Sequence, residues 1–199
     1  MPVKIATIVK SNSHVDYVGR VVDRLDASRP PEASDYGFAQ FVFMPVDEGK
    51  IVGVIYNTQL ANPDYGNLGP RLSPPADLSV LSPDYLNEQG VLVGLLLLGW
   101  QEEEKGVMHQ TVPRRVVSVG TNVYNLSDRE AYEFHKGASG SLQIHYFSQV
   151  IAHAGAFAAP LLEAIIEQLE KASDEGERQK LYVLKRSLVW QRTLGGVRL

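Results

Sequence analysis

Cysteine is absent from the 199 residues, which excludes disulfides, thiolate nucleophiles and cysteine-ligated metals. A chain without bridges fits a reducing compartment, and the cytoplasm is the expected location. No apolar run reaches the roughly 20 residues that a membrane-spanning helix needs. The opening MPVKIATIVK also lacks the apolar core and cleavage site of a secretory signal. A soluble protein without membrane contact is therefore expected. A strong charge of one sign is lacking too: the net value of -4 gives no general attraction to nucleic acid or anionic lipid. The charge is unevenly spread, however. Residues 177–199 carry Arg178, Lys180, Lys185, Arg186, Arg192 and Arg198 against one acid, Glu177, which leaves +5 there and -9 over the rest.

What is present is a 44% hydrophobic composition, enough to fill a core. The longest apolar stretch is 91–100, VLVGLLLLGW, too short to cross a bilayer and therefore buried in protein. Gly94 and Gly99 disfavour a helix, so the stretch is expected to be the central strand of a sheet or small barrel.

Residues 4–9 (KIATIV) and 17–22 have the β-branched character of two further strands, joined by the turn-forming Ser11, Asn12 and Ser13. Residues 24–35, with Pro30 and Pro31, should be a loop. Residues 37–44 and 50–59 are expected to pair as a hairpin across Asp47, Glu48 and Gly49, with Gly53 at a bulge or close backbone approach. Between 60 and 88, prolines and glycines interrupt every possible element. Such a long loop is either an ordinary surface excursion or a functional segment. Residues 102–106 read as a charged turn and 107–112 as another strand. Short strands without intervening helices point to a small barrel.

Beyond Pro113 the pattern changes. Ser127 and Glu130 form a capping box in front of a helix over 128–135, which should stop at Gly137. Helical spacing resumes at Leu142, and Pro160 should break or kink the element before it continues to about Lys171. Ser173 is expected to cap a last helix over 174–193 with Leu181, Leu184 and Leu188 on one face. The fold class that emerges is α+β: a mostly β N-terminal small barrel over 1–120, then a helical C-terminal extension over 121–199.

The segments GRVVD (19–23), KIVGVIYN (50–57) and VLVGLLLLG (91–99) resemble the HAS barrel, a domain named for HerA-type DNA translocases and ATP synthase catalytic subunits. The stretch 112–135 is similar to the exit from that barrel in HerA-type proteins. The resemblance implies a docking or ring-packing unit, with protein partners or copies of itself. A HerA-type protein would continue into a motor with a phosphate loop, and the one candidate here is KGASGS, 136–141. It lacks the lysine that reaches the terminal phosphates, and no buried strand precedes it. Neither ATP binding nor hydrolysis is expected, and no enzyme activity.

No catalytic residue, cofactor site or metal site is expected elsewhere either. His145 and His153 stand eight apart, about 12 Å along a helix, too far to share one metal. His14 with Asp16 could be a base and its orienter, but a polar turn explains them as well. Asp23 and Asp26 flank Arg24 and read as solvated loop charges. Tyr17, Tyr36, Tyr56, Tyr65 and Tyr85 recur through the β part, where basic residues for strand-binding of nucleic acid are scarce, so packing is the better account. The candidate interface is Leu181, Leu184, Leu188 and Trp190, a stripe to be buried in the chain's own core or against a neighbour. The candidate basic contacts are the six cations of 177–199. Two functions follow as expectations: a non-enzymatic assembly or adaptor module, or a nucleic-acid-associated factor acting through that basic segment.

Overall fold

A computed structural model of the chain describes residues 2–24, 26–47, 49–61, 90–102, 106–137 and 140–195, the side chains of residues 187 and 189–195 excepted. The expected loop over 60–88 therefore lies almost wholly outside the described residues. The strands are β1 Lys4–Ser11, β2 Asp16–Val21, β3 Phe41–Val46, β4 Gly49–Ala61, β5 Gly90–Glu102, β6 Met108–His109 and β7 Asn122–Asn125. The helices are α1 Asp128–His135, α2 Phe147–His153, α3 Ala158–Ala172 and α4 Glu175–Gly195. No helix among the described residues is long and apolar enough to cross a membrane.

The strands pair antiparallel in the order β2-β1-β7-β3-β4-β5-β6, and β2 also pairs with β5. That last pairing closes six strands into a barrel and leaves β6 as a short flap on β5. The apolar run sits at the centre, as expected: β5 pairs with β4 from Gly49↔Glu102 to Ala61↔Gly90, and with β2 from Asp16↔Leu96 to Arg20↔Leu92. Leu95, Leu96, Leu97 and Leu98 are all buried. Successive side chains on a strand point to opposite faces, so an unbroken buried run requires cover on both. The barrel interior supplies one face. Helices supply the other: Gln149 of α2 donates its side-chain amide to Leu97 O. A Cβ at Gly99 would stand 2.9 Å from the Phe134 ring of α1 and 2.0 Å from His109 O of β6, so only glycine admits their approach. The β4–β5 register shifts between Val52 and Gly53, the bulge expected there.

Several boundaries differ from the sequence reading. β3 starts at Phe41 because Gly37 to Gln40 turns first, Gln40 N donating to Gly37 O at 3.2 Å. Ala39 in that turn has φ 66°, uncommon for a residue with a Cβ. It is held from both sides: its N–H donates to Ile55 O at 2.8 Å, and its carbonyl accepts the Gln168 side chain of α3 at 3.0 Å. The expected strand over 107–112 shrinks to Met108 and His109. The strand that completes the barrel, β7, lies past residue 120, on the helical side of the division drawn from the sequence. It fills the space between β1 and β3.

α1 carries the expected capping box: Ser127 Oγ accepts Glu130 N at 3.3 Å and Glu130 Oε2 accepts Ser127 N at 3.1 Å. Pro160 does not kink a helix. It stands in the first turn of α3, after a 3₁₀ turn at Gly155–Phe157, where a missing N–H removes no helical bond. The cap of α4 is Asp174 in place of Ser173. Asp174 Oδ1 accepts Glu177 N at 2.9 Å, while the Ser173 hydroxyl donates back to Leu169 O of α3 at 2.7 Å. Buried residues of barrel and helices form one continuous core, from Ile5 in β1 to Leu188 in α4.

Candidate interaction surfaces

The leucine stripe of α4 is not a free surface. Leu181 and Leu188 are 4% and 2% exposed and belong to the common core, and Leu184 packs against it half-buried. The reason is that α4 lies along α3, whose Leu161, Leu162, Ile165, Ile166 and Leu169 need cover. Trp190, Arg192 and Arg198, named with this segment, fall outside the described side chains.

What α4 turns outward is different. Tyr182 and Val183 are 57% and 67% exposed, with exposed Lys180 between the turns and the Arg186 guanidinium 5.9 Å from the Tyr182 ring. The other cations are tied to α3. Arg178 Nε donates to Glu170 O at 3.0 Å, and Lys185 Nζ donates to Glu167 Oε1 at 2.8 Å. That bond holds the Glu167 carboxyl below its ordinary range and the Lys185 amine above its own. The one acid of the basic segment is also occupied: Glu177 accepts the Tyr132 hydroxyl at 2.6 Å and stands 3.9 Å from Lys136 Nζ, which lies 4.9 Å from the Tyr132 ring. Glu177 thus fastens α4 to α1 and leaves the outward face basic.

The residues weighed for chemistry are engaged elsewhere. His14 Nε2 donates to Pro113 O at 2.7 Å, while Asp16 accepts from Asn12 at 3.1 Å and from the Tyr56 hydroxyl at 2.9 Å. Asp23 and Asp26 are not isolated loop charges: both grip Arg20 of β2, at 2.7 and 2.9 Å. The Asp26 carboxyl is lowered by the Asp23 backbone amide first, and by Arg20 as well. Of the five tyrosines, Tyr17 is buried with its hydroxyl accepting Val117 N at 3.2 Å, Tyr36 and Tyr56 pack against the core, and Tyr65 and Tyr85 lie outside the described residues. Among the described residues no three His, Cys, Asp or Glu side chains converge on a metal position. Where the candidate phosphate loop would lie, Gly137 N donates to Ser141 O at 3.0 Å and Lys136 bridges Leu142. Its lysine points to Tyr132 and Glu177.

The chain belongs to the DUF8166 family. The model of that family, described as a domain of unknown function, matches residues 1–198. No curated protein matches the chain.

Sequence reasoning missed one polar centre of this family member. His135 and Tyr146 are both buried between α1, α2 and β3. His135 Nδ1 donates to Ala131 O at 2.6 Å, and Nε2 accepts the Tyr146 hydroxyl at 2.5 Å, with Phe41 and Phe134 packed edge-on. Burial lowers His135 to about 4 and raises Tyr146 well above its ordinary value. Both groups stay neutral, so the pair locks helices to barrel. Glutamines do the same: Gln110 donates to Phe134 O at 3.0 Å and Gln143 O at 2.9 Å, and accepts His145 N at 2.8 Å. A 3.6-residue period marks apolar faces and is silent about which polar groups will be buried with partners.

Proposed function

We propose that the chain is a non-enzymatic assembly or adaptor module that acts by protein contact. The observation that carries this reading is the outward face of α4. A helix that has already buried its leucines still presents Tyr182 and Val183 to solvent beside Lys180 and Arg186. Exposed aromatic and apolar residues framed by cations are the composition of an interface centre and its rim. The complement is an acidic protein surface. The rest of this same chain carries -9, so a second copy is the first occupant to test. The closed barrel, together with the resemblance of segments 19–23, 50–57 and 91–99 to the HAS barrel, supports a ring-packing or docking role and suggests a HerA-type DNA-processing machine as the setting.

Sedimentation of the full chain tests this. A discrete oligomer is expected at low salt, weakened at high salt by screening of the charge contacts and dissociated by Val183→Asp. A monomer under every condition overturns the reading. The alternative, a nucleic-acid-associated factor, would instead give saturable binding of DNA oligonucleotides that is lost when Lys180 and Arg186 are changed to Glu.

A further inference from the structure

β7 pairs with β3 only at Val42 and Phe43. Before β7 the chain swings to β1, where Ile8 N donates to Thr121 O and Gly120 N to Ile8 O, both at 2.9 Å. Pro45 and Val46 at the end of β3 have no strand neighbour on that side among the described residues. A groove of about 420 Å³ opens there, walled by Pro45, Val46 and Asp47 against Arg115, Val116 and Thr121. Pro45 brings no amide N–H, so the interrupted ladder leaves no unpaired donor at that position.

The stretch 112–119 (VPRRVVSV) forms the other bank. Val112, Val116 and Val119 are 48%, 66% and 73% exposed, a dense apolar display for eight residues. The stretch is pinned, not loose: Pro113 O accepts His14 Nε2, and Val117 N donates to the buried Tyr17 hydroxyl. The backbone N–H groups of Arg114, Val116, Ser118 and Val119 have no partner among the described residues. From Gly106 to Ser127 the sequence holds no acid, and Arg114 stands exposed beside the groove, whose far wall carries Asp47.

We propose that this stretch and its groove dock an extended segment of a partner protein, with a small apolar side chain seated against Val116 and an acidic one opposite Arg114. The unpaired amides of Val116 and Ser118, between the bend at Arg114–Arg115 and the turn at Val119–Gly120, receive backbone carbonyls of the docked segment, and the groove reads its side chains. The proposal rests on the reading of the chain as an assembly module and supplies the second contact that an adaptor needs.

Selection of a random octapeptide display library on the full chain tests it, followed by anisotropy titration of an enriched peptide. Enriched peptides should carry Asp or Glu beside β-branched residues. Their dissociation constant should rise about tenfold or more with Val116→Asp, Val119→Asp or Arg114→Glu, whose exposed positions leave the melting temperature unchanged, and should not move with Val183→Asp. Absence of acidic peptides, or binding indifferent to Val116→Asp and Val119→Asp, overturns the proposal. Loss with Val183→Asp alone overturns it while leaving the α4 reading intact. An oligomer that dissociates on Val116→Asp makes the occupant a second copy and overturns the partner segment.

Discussion

Tyr56 of β4 crosses the bare backbone of Gly94 in β5 and donates its hydroxyl to Asp16 of β2 at 2.9 Å. A Cβ at Gly94 would stand 3.1 Å from the Tyr56 ring and 3.2 Å from Asn57 Cβ. One side chain thus ties three adjacent strands through a gap that glycine leaves. Burial first, and the Asp16 bond second, push Tyr56 up to about 12.

Tyr56→Phe should cost about 1 kcal/mol, the net worth of a hydrogen bond. Gly94→Val should cost about 1–3 kcal/mol by forcing the ring aside. In the double variant the two costs should fall short of additivity by about 1 kcal/mol, because the displaced ring has already lost Asp16. Urea midpoints of the four proteins measure the coupling, and full additivity would deny the contact. In alkaline titration the phenolate signal near pH 12 should vanish with Tyr56→Phe.

The His135–Tyr146 pair sets an acid limb of stability. The folded value near 4 lies below the ordinary 6.5, so the unfolded chain binds the extra proton and stability rises with pH through this window. The contribution is full above about pH 6.5 and falls away toward pH 4, on the order of 3 kcal/mol in all. His135→Phe combined with Tyr146→Phe removes both polar partners at once, and should flatten the urea midpoint between pH 7 and 4.5 relative to wild type. An equal slope in both proteins would assign the limb to other groups.

The two faces of α4 should respond oppositely. Leu188→Ala opens a cavity in the common core and should cost about 2–5 kcal/mol. Val183→Asp, on the outward face, should stay within about 0.5 kcal/mol and act on assembly alone. Thermal melts separate them, and a large loss of stability with Val183→Asp would mean that this face is packed within the chain.

A fragment of residues 1–120 lacks β7, so β1 and β3 lose their shared neighbour, and β5 loses the helices that cover its outer face. It should not fold alone. Circular dichroism of the isolated fragment checks this: a cooperative β-rich melt would establish the barrel as an independent unit.

Local pattern was sufficient wherever neighbours in sequence are neighbours in space. The Ser127–Glu130 box, the β3–β4 hairpin, the bulge at Gly53 and the apolar centre at β5 were all legible, because caps, tight turns and buried runs are set within a few residues. The four-residue β7 was not, since so short a strand is specified by the two it joins and not by its own Asn-Val-Tyr-Asn. The left-handed Ala39 is held by Ile55 and Gln168, and the neutral His135 by Ala131 and a tyrosine eleven residues away. Amphipathicity announced that Leu181, Leu184 and Leu188 would be buried, but a helix pattern contains no information about what lies opposite. Only the packing of α4 on α3 decided that the chain covers its own leucines and turns Tyr182, Val183 and Arg186 toward solvent.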